Sequence, residues 1–304
     1  RVAAVALRRA VAWHPPRSVA GHVGPRTRRL GGARTRAHPT GRVNRRVATL
    51  LSVAAVSGAL ALPTTAQDTA SLTDRAPVPF LVGENLTYDV RFGAIKVGTA
   101  RMRVMGIDSI RDRPAWHVRF SLSGGTIFYK VDDVYESWMD VTTLNSLRYS
   151  QSLRGSSQRQ REYEIFPERS VFLEVYKKNC EMPSVPDPLD DGSFLFFIRT
   201  VPLEIGRTYE FNRYFKPDRN PVTIRVLRRE RVRVPAGAFD AIVIQPIIKT
   251  SGIFSEGGAA EIWLTDDDKR MMLQMKSRLS FGSLNLYLRS YRWAADSTPP
   301  GATP

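Results

Sequence analysis

From Leu86 the chain alternates with a period of two: Leu86, Tyr88, Val90 and Phe92 are apolar, while Thr87, Asp89 and Arg91 are polar. That period puts one set of side chains on each face of an extended backbone, so the stretch predicts a half-buried β-strand. Gly93 to Gly98 reads as a turn, and the pattern resumes with Ala100, Met102 and Val104 against Arg101 and Arg103, which completes a hairpin. The same alternation recurs in Trp116, Val118, Phe120 and Leu122, before Gly124-Gly125 turns the chain again. It returns in Val222-Ile224-Val226, Val232-Val234, Leu273-Met275 with Leu279-Phe281, and Leu284-Leu286-Leu288. Short two-faced strands without long helical patterns between them predict a mainly β protein. The expected architecture is an antiparallel meandering sheet curled into a half-barrel or barrel-like domain.

One helix is predicted, over 193–200. Asp190, Asp191 or Ser193 can cap its free N–H groups and Pro202 stops it. Its Phe194-Leu195-Phe196-Phe197-Ile198 is apolar nearly all round, which requires burial and suggests a plug for one end of the sheet. Pro183, Pro186 and Pro188 mark a long loop before it. The expected organisation is one β domain over 78–294, or two halves at 78–185 and 186–294. A flexible segment precedes it at 67–77, and a disordered Ser/Thr/Pro/Gly tail follows at 295–304.

Charge changes the picture only once its placement is read. Residues 1–66 hold 12 Arg and no acid, so of 45 bases and 29 acids the rest of the chain keeps 33 and 29, a net of +4 rather than +16. That argues against a basic nucleic-acid-binding domain, and no nucleic-acid partner is expected. Arg45-Arg46, the uncharged run Val47–Leu62 and the small residues Thr64-Thr65-Ala66 form the three-part pattern of a signal peptide over 45–66. Cleavage after Ala66 would leave no transmembrane span. Residues 1–44 read as a disordered or over-extended N-terminus. With Cys180 alone after the leader, no internal disulfide forms, and no Cys follows the apolar run to carry a lipid. The expected compartment is the periplasm or its equivalent, without lipidation.

Several separated motifs carry a family resemblance. Phe80-Leu81-Val82-Gly83-Glu84-Asn85-Leu86-Thr87-Tyr88 followed by Gly98 resembles the opening of the domain of unknown function 3108 family of bacterial exported proteins. The same family order continues with Asp187, Phe194–Arg199, Pro202-Leu203 and Gly206, then Arg231 to Phe239 around Pro235-Ala236-Gly237, and Ile262-Trp263-Leu264-Thr265-Asp266. The resemblance spans roughly residues 78 to 293. It implies an exported β-rich domain with no assigned activity, and it brings no catalytic residues. A looser likeness to the curled half-barrels of periplasmic lipoprotein carriers is one of fold alone.

The motif residues read as structural. Gly83, Gly98, Gly206 and Gly237 suit turns needing positive φ, with Pro235 as turn chemistry. Tyr88 lies on the apolar phase of its strand, and Trp263 reads as core. Glu84 and Arg199 are charges in apolar settings, and each needs a partner if buried.

Catalytic chemistry is sparse. His117 is the one His after the leader and sits on the polar phase of its strand, as a solvated residue would. No nucleophile elbow, phosphate loop or dinucleotide fingerprint is present. One His and one Cys cannot complete a usual zinc site, and Asp187, Asp190 and Asp191 do not fit a calcium loop, with Leu189 and Ile198 at ligand positions. No catalytic, metal or cofactor residues are therefore expected. Asp266-Asp267-Asp268 reads as a hairpin tip, and Arg225, Arg228, Arg229, Arg231 and Arg233 as a positive stripe able to meet anionic headgroups. The leading expectation is a non-enzymatic exported module that binds an apolar ligand such as lipid in its curled sheet. The rivals are an assembly module docking to an envelope protein, and a hydrolase of envelope glycan or lipid using dispersed carboxylates.

Overall fold

The alternating stretches become strands. The computed structural model describes residues 78–126, 129–154, 158–177, 180–249, 259–279 and 282–293, so the expected leader, cleavage site and C-terminal tail lie outside the described residues. The first eight strands are β1 (Asn85–Phe92), β2 (Ile95–Ile110), β3 (Arg113–Thr126), β4 (Tyr129–Asp140), β5 (Ser146–Arg154), β6 (Arg159–Phe166), β7 (Val171–Glu174) and β8 (Met182–Pro183). After the helix α1 (Asp191–Phe197) come β9 (Thr208–Phe211), β10 (Val222–Val234), β11 (Gly237–Ile247), β12 (Ala259–Thr265), β13 (Met272–Leu279) and β14 (Gly282–Arg292). All belong to one 14-stranded antiparallel sheet that does not close on itself, as the meandering pattern predicted. Among the described residues no helix is long and apolar enough to cross a membrane.

The strand order is β8-β7-β6-β5-β4-β3-β2-β1-β14-β13-β12-β11-β10-β9. Two meanders thus run outward from a shared seam, where Val90 of β1 faces Leu286 of β14. The connection carrying α1 must pass from β8 at one edge to β9 at the other. Both edge strands are short, which limits open pairing groups, and loops stitch the gap between them. The Leu189 N–H donates to the Arg213 carbonyl at 2.5 Å and the Phe215 N–H to the Leu189 carbonyl at 2.9 Å. The Ser184 hydroxyl adds a bond to the Phe215 carbonyl at 2.8 Å.

One face of the sheet holds the core: Leu86, Tyr88, Val90, Ala100, Met102, Leu122, Leu286 and Leu288 are buried in one cluster. The helix joins it as its composition required. Asp190 is the cap, accepting from the Gly192 and Ser193 N–H groups while the Ser193 hydroxyl accepts from Asp190 N–H. A tighter turn over Ile198–Thr200 continues the helix before Pro202 ends it. The Phe196 ring meets Phe80 edge-on at 5.2 Å, Phe80 meets Trp116 at 5.3 Å, and Phe197 meets Phe211 at 5.1 Å. Truncating such a ring costs about 3–5 kcal/mol.

The glycines differ from expectation at one motif position. Gly83, Gly206 and Gly237 do hold positive φ, at 88°, 82° and 140°. Gly98 does not form a turn; it lies within β2, opposite Gly124 of β3, which likewise continues its strand. A Cβ on Gly98 would stand 2.5 Å from the Ser123 carbonyl oxygen and 3.1 Å from the Gly124 Cα. Close backbone approach, not backbone sign, requires glycine there.

Candidate functional site

The motif charges come together. Arg199, in the turn after α1, donates to both Glu84 carboxylate oxygens, at 2.6 and 3.0 Å. Nη2, shared with Glu84, also reaches the Pro79 carbonyl at 2.5 Å and the Lys269 carbonyl at 2.8 Å, and Nε reaches the Lys269 carbonyl at 3.3 Å. The guanidinium also lies over the Phe80 and Phe196 rings, at 5.5 and 5.9 Å. Both charged side chains are almost wholly buried, at 0% and 1% exposure. A buried ion pair persists only where geometry and hydrogen bonds offset its desolvation, and a two-point pair with carbonyl support meets that condition. Nearby, the Tyr88 hydroxyl donates to the Met272 carbonyl at 3.0 Å, and burial pushes that phenol well above its ordinary proton affinity. The clamp ties the 79–84 segment, the helix exit and the β12–β13 turn into one end of the curled sheet.

The other end of α1 holds a different cluster. Asp190, fully buried, accepts from the hydroxyls of Ser137 at 2.5 Å and Ser146 at 2.8 Å in addition to its capping bonds. Burial still pushes its carboxyl up to about 6, against those hydrogen bonds. Beside it, half-buried Asp191 accepts from Tyr149 Oη at 2.8 Å, Tyr214 Oη at 2.7 Å and Gln151 Nε2 at 3.3 Å. Burial raises Asp191 too, opposed first by the Tyr214 and Tyr149 hydroxyls and then by Arg219 and Lys216. Lys216 sits among the rings of Tyr163, Phe215 and Phe172, at 4.6, 5.0 and 5.8 Å. Burial, with Arg219 adding repulsion, lowers its amine to about 8, and burial lifts the Tyr163 phenol to about 12. Asp191, Lys216, Gln151 and the phenols of Tyr149, Tyr163 and Tyr214 line a recess of about 10 Å³, with Arg161 on its wall. That is space for about one water molecule. The cluster can hydrogen-bond a water-sized polar group through the Lys216 amine among aromatic walls. Among the described residues no three His, Cys, Asp or Glu side chains form a metal-holding group.

The remaining sequence candidates are dispersed. Exposed Asp187 accepts from Asn145 Nδ2 at 3.1 Å, and its carbonyl accepts from Arg213 Nε at 3.0 Å. Pro235 turns β10 into β11. Trp263 is buried on the face of β12 opposite Ile262 and Leu264, roofed by Arg228 and Lys276, and its Nε1 donates to Glu230 at 2.5 Å. Asp266 pairs with Arg229 at 2.7 Å, while Asp267 ties the β12–β13 turn through the N–H groups of Lys269 and Arg270. The β10 stripe is largely neutralised: Arg228 pairs with Glu230 and Glu261, and Arg231 with Asp240. Cys180 is exposed. His117 departs from the solvated state expected of it. It stacks on Trp138 at 4.5 Å, with Asp108 3.1 Å from Nδ1 and Glu136 3.0 Å from Nε2.

Sequence reasoning did not find Tyr149, Gln151, Arg161, Tyr163, Tyr214, Lys216 or Arg219. One signal was available: Gln151 and Arg161 occupy the apolar phase of their strands, flanked by Tyr149 and Leu153 and by Tyr163 and Ile165. A polar residue in that phase must find partners inside.

A family model described as "Protein of unknown function (DUF3108)" matches residues 87–289, well over half of the chain. No curated protein matches. Among solved structures, the chain is similar to a beta-barrel-like protein of domain of unknown function DUF1849 from Brucella abortus. The two are 10% identical, with 70% of this chain and 98% of that one covered and a TM-score of 0.46. A candidate lipoprotein from Parabacteroides distasonis is 10% identical over 71% of this chain and 99% of its own, with a TM-score of 0.33. A candidate exported protein with YmcC-like fold from Bacteroides fragilis is 11% identical over 70% and 97%, also at 0.33.

Proposed function

The chain belongs to the DUF3108 family of proteins of unknown function, and on that premise we propose that it is a non-enzymatic exported module that binds an amphiphile. The ligand's acidic head meets Lys216 at the recess, on the side where the recess adjoins the apolar core. The observation that carries this reading is the position of the recess. Its wall residue Gln151 stands opposite Tyr135 and two positions before Leu153, so the polar groups adjoin the apolar inner face of β3 to β5, where Leu122, Tyr135 and Leu153 are buried. An amine beside aromatic rings, next to apolar surface, suits a molecule that is acidic at one end and hydrocarbon at the other. Export rests on the leader pattern. The hydrolase rival draws little support, because Asp190 is occupied by four hydrogen bonds as a helix cap and Asp191 by two phenols.

The test is mass spectrometry of small molecules extracted from the chain recovered after export and purified without detergent, against an unrelated exported protein. A stoichiometric amphiphile is the expected result. A folded protein that releases nothing above the control contradicts the reading.

A further inference from the structure

The convex face of the central strands is as distinctive as the interior. Cross-strand register places Arg292 of β14 opposite Asn85 of β1, Asn85 opposite Arg103 of β2, and Arg103 opposite Arg119 of β3. The adjoining row runs Ser290, Thr87, Arg101, Ser121, and a further row sets Asn285 opposite Arg91 and Arg91 opposite Lys96. These positions alternate with the buried Leu86, Tyr88, Val90 and Met102, so their side chains leave the core on the convex side. Two acids answer them: Glu136 holds Arg119 at 2.6 Å and Asp89 holds Lys96 at 2.6 Å. Among the described residues, Arg91, Arg101, Arg103 and Arg292 have no carboxylate at ion-pair distance. The buried Nε atoms of Arg91 and Arg103 have no hydrogen-bond partner there either.

Like charges directly across a sheet are destabilising. Arg103 has Arg119 opposite and Arg101 nearby, and burial followed by those two cations lowers its proton affinity. On β10, Arg228, Arg229 and Arg231 each have a carboxylate, while Arg225 and Arg233 have none at ion-pair distance among the described residues. Unpaired arginines also stand elsewhere among the described residues, such as Arg225, Arg233, Arg278 and Arg289, but this face brings four of them together on three adjacent strands.

We infer that the convex face of β14, β1, β2 and β3, through Arg91, Arg101, Arg103 and Arg292, docks onto an anionic lipid surface. These side chains sit on three adjacent strands about 4.8 Å apart, and Arg91 lies six positions along β1 from Asn85, which Arg292 and Arg103 flank, so they spread over about 10 Å by about 20 Å, wider than a single phosphate can bridge. A bilayer presenting many phosphates side by side answers all of them, and each arginine near such a surface strengthens binding several-fold. The inference stands on a different face from the recess and holds whether or not the recess takes a ligand.

The test is vesicle flotation of the chain recovered after export, its N-terminus read by mass, with phosphatidylglycerol/phosphatidylcholine vesicles against phosphatidylcholine alone. Binding is expected for the anionic vesicles only, and it weakens sharply when salt is raised from about 0.1 M to about 1 M. Arg101→Gln with Arg103→Gln should weaken it by about tenfold to thirtyfold, while the unfolding midpoint stays the same or rises as like charges are removed. Arg229→Gln with Arg231→Gln should leave binding unchanged. Equal binding by the Arg101/Arg103 variant, or equal binding to phosphatidylcholine, would overturn the inference. So would loss of vesicle binding to inorganic phosphate at matched ionic strength, which would mark a discrete phosphate site instead.

Discussion

The two ends of α1 solve the problem of buried charge in opposite ways. Beyond its C-terminus, Arg199 and Glu84 close on each other and on two carbonyls. At its N-terminus, Asp191 and Lys216 are both held toward neutrality, beside phenols and a recess of about 10 Å³. A pair closed on itself is architecture: it fixes where three distant segments meet. Asp191 is already held by two phenols and Gln151, but Lys216, whose bond to Tyr163 Oη is a long 3.3 Å, has hydrogen bonds left to make beside the recess, which is how binding sites are commonly built.

The largest expected effect breaks the closed end. Glu84→Gln or Arg199→Met leaves an unmatched buried partner and should cost about 3–5 kcal/mol in urea unfolding. A loss under about 1 kcal/mol would show that the clamp is not the fastening described. Asp190→Ala removes the helix cap and leaves the Ser137 and Ser146 hydroxyls without their acceptor, for about 2 kcal/mol in the same measurement.

A pH series sharpens the difference. Lys216 titrates near 8 in the folded protein, below the ordinary lysine value of 10.5. Between those values the unfolded chain binds more protons than the folded one, so stability rises with pH across that window. The slope is at most about 1.4 kcal/mol per pH unit, and less because Lys216 is only partly buried. Unfolding at about pH 8 and about pH 9.5 should show the rise, and Lys216→Met should remove it. A slope that survives the substitution would assign the shift elsewhere. Tyr149→Phe, which takes one hydroxyl from Asp191 and Gln151, should have the smallest effect, about 1 kcal/mol.

How much of this was legible depended on range. Period-two alternation gave β1, β2 and β3, and the apolar run with Asp190 and Pro202 gave α1, because both signals are local. The need of Glu84 and Arg199 for partners was also readable, but not that they answer each other across 115 positions. The recess was invisible for a related reason: it is assembled from β5, β6, the start of α1 and the β9–β10 loop, and only register places Tyr149 beside Tyr163. Gly98 shows the limit within a single motif, since its neighbour Gly124 belongs to another strand.

The most direct test of the central claim is a titration of the exported protein with a fluorescent fatty acid, set beside its neutral-headed amide. Saturable one-to-one binding of the acid is expected, weakened about tenfold by Lys216→Met, the loss of one charged hydrogen bond, and equally by removing the acid's charge. Equal affinity of the native and Lys216→Met proteins for the acid would contradict it.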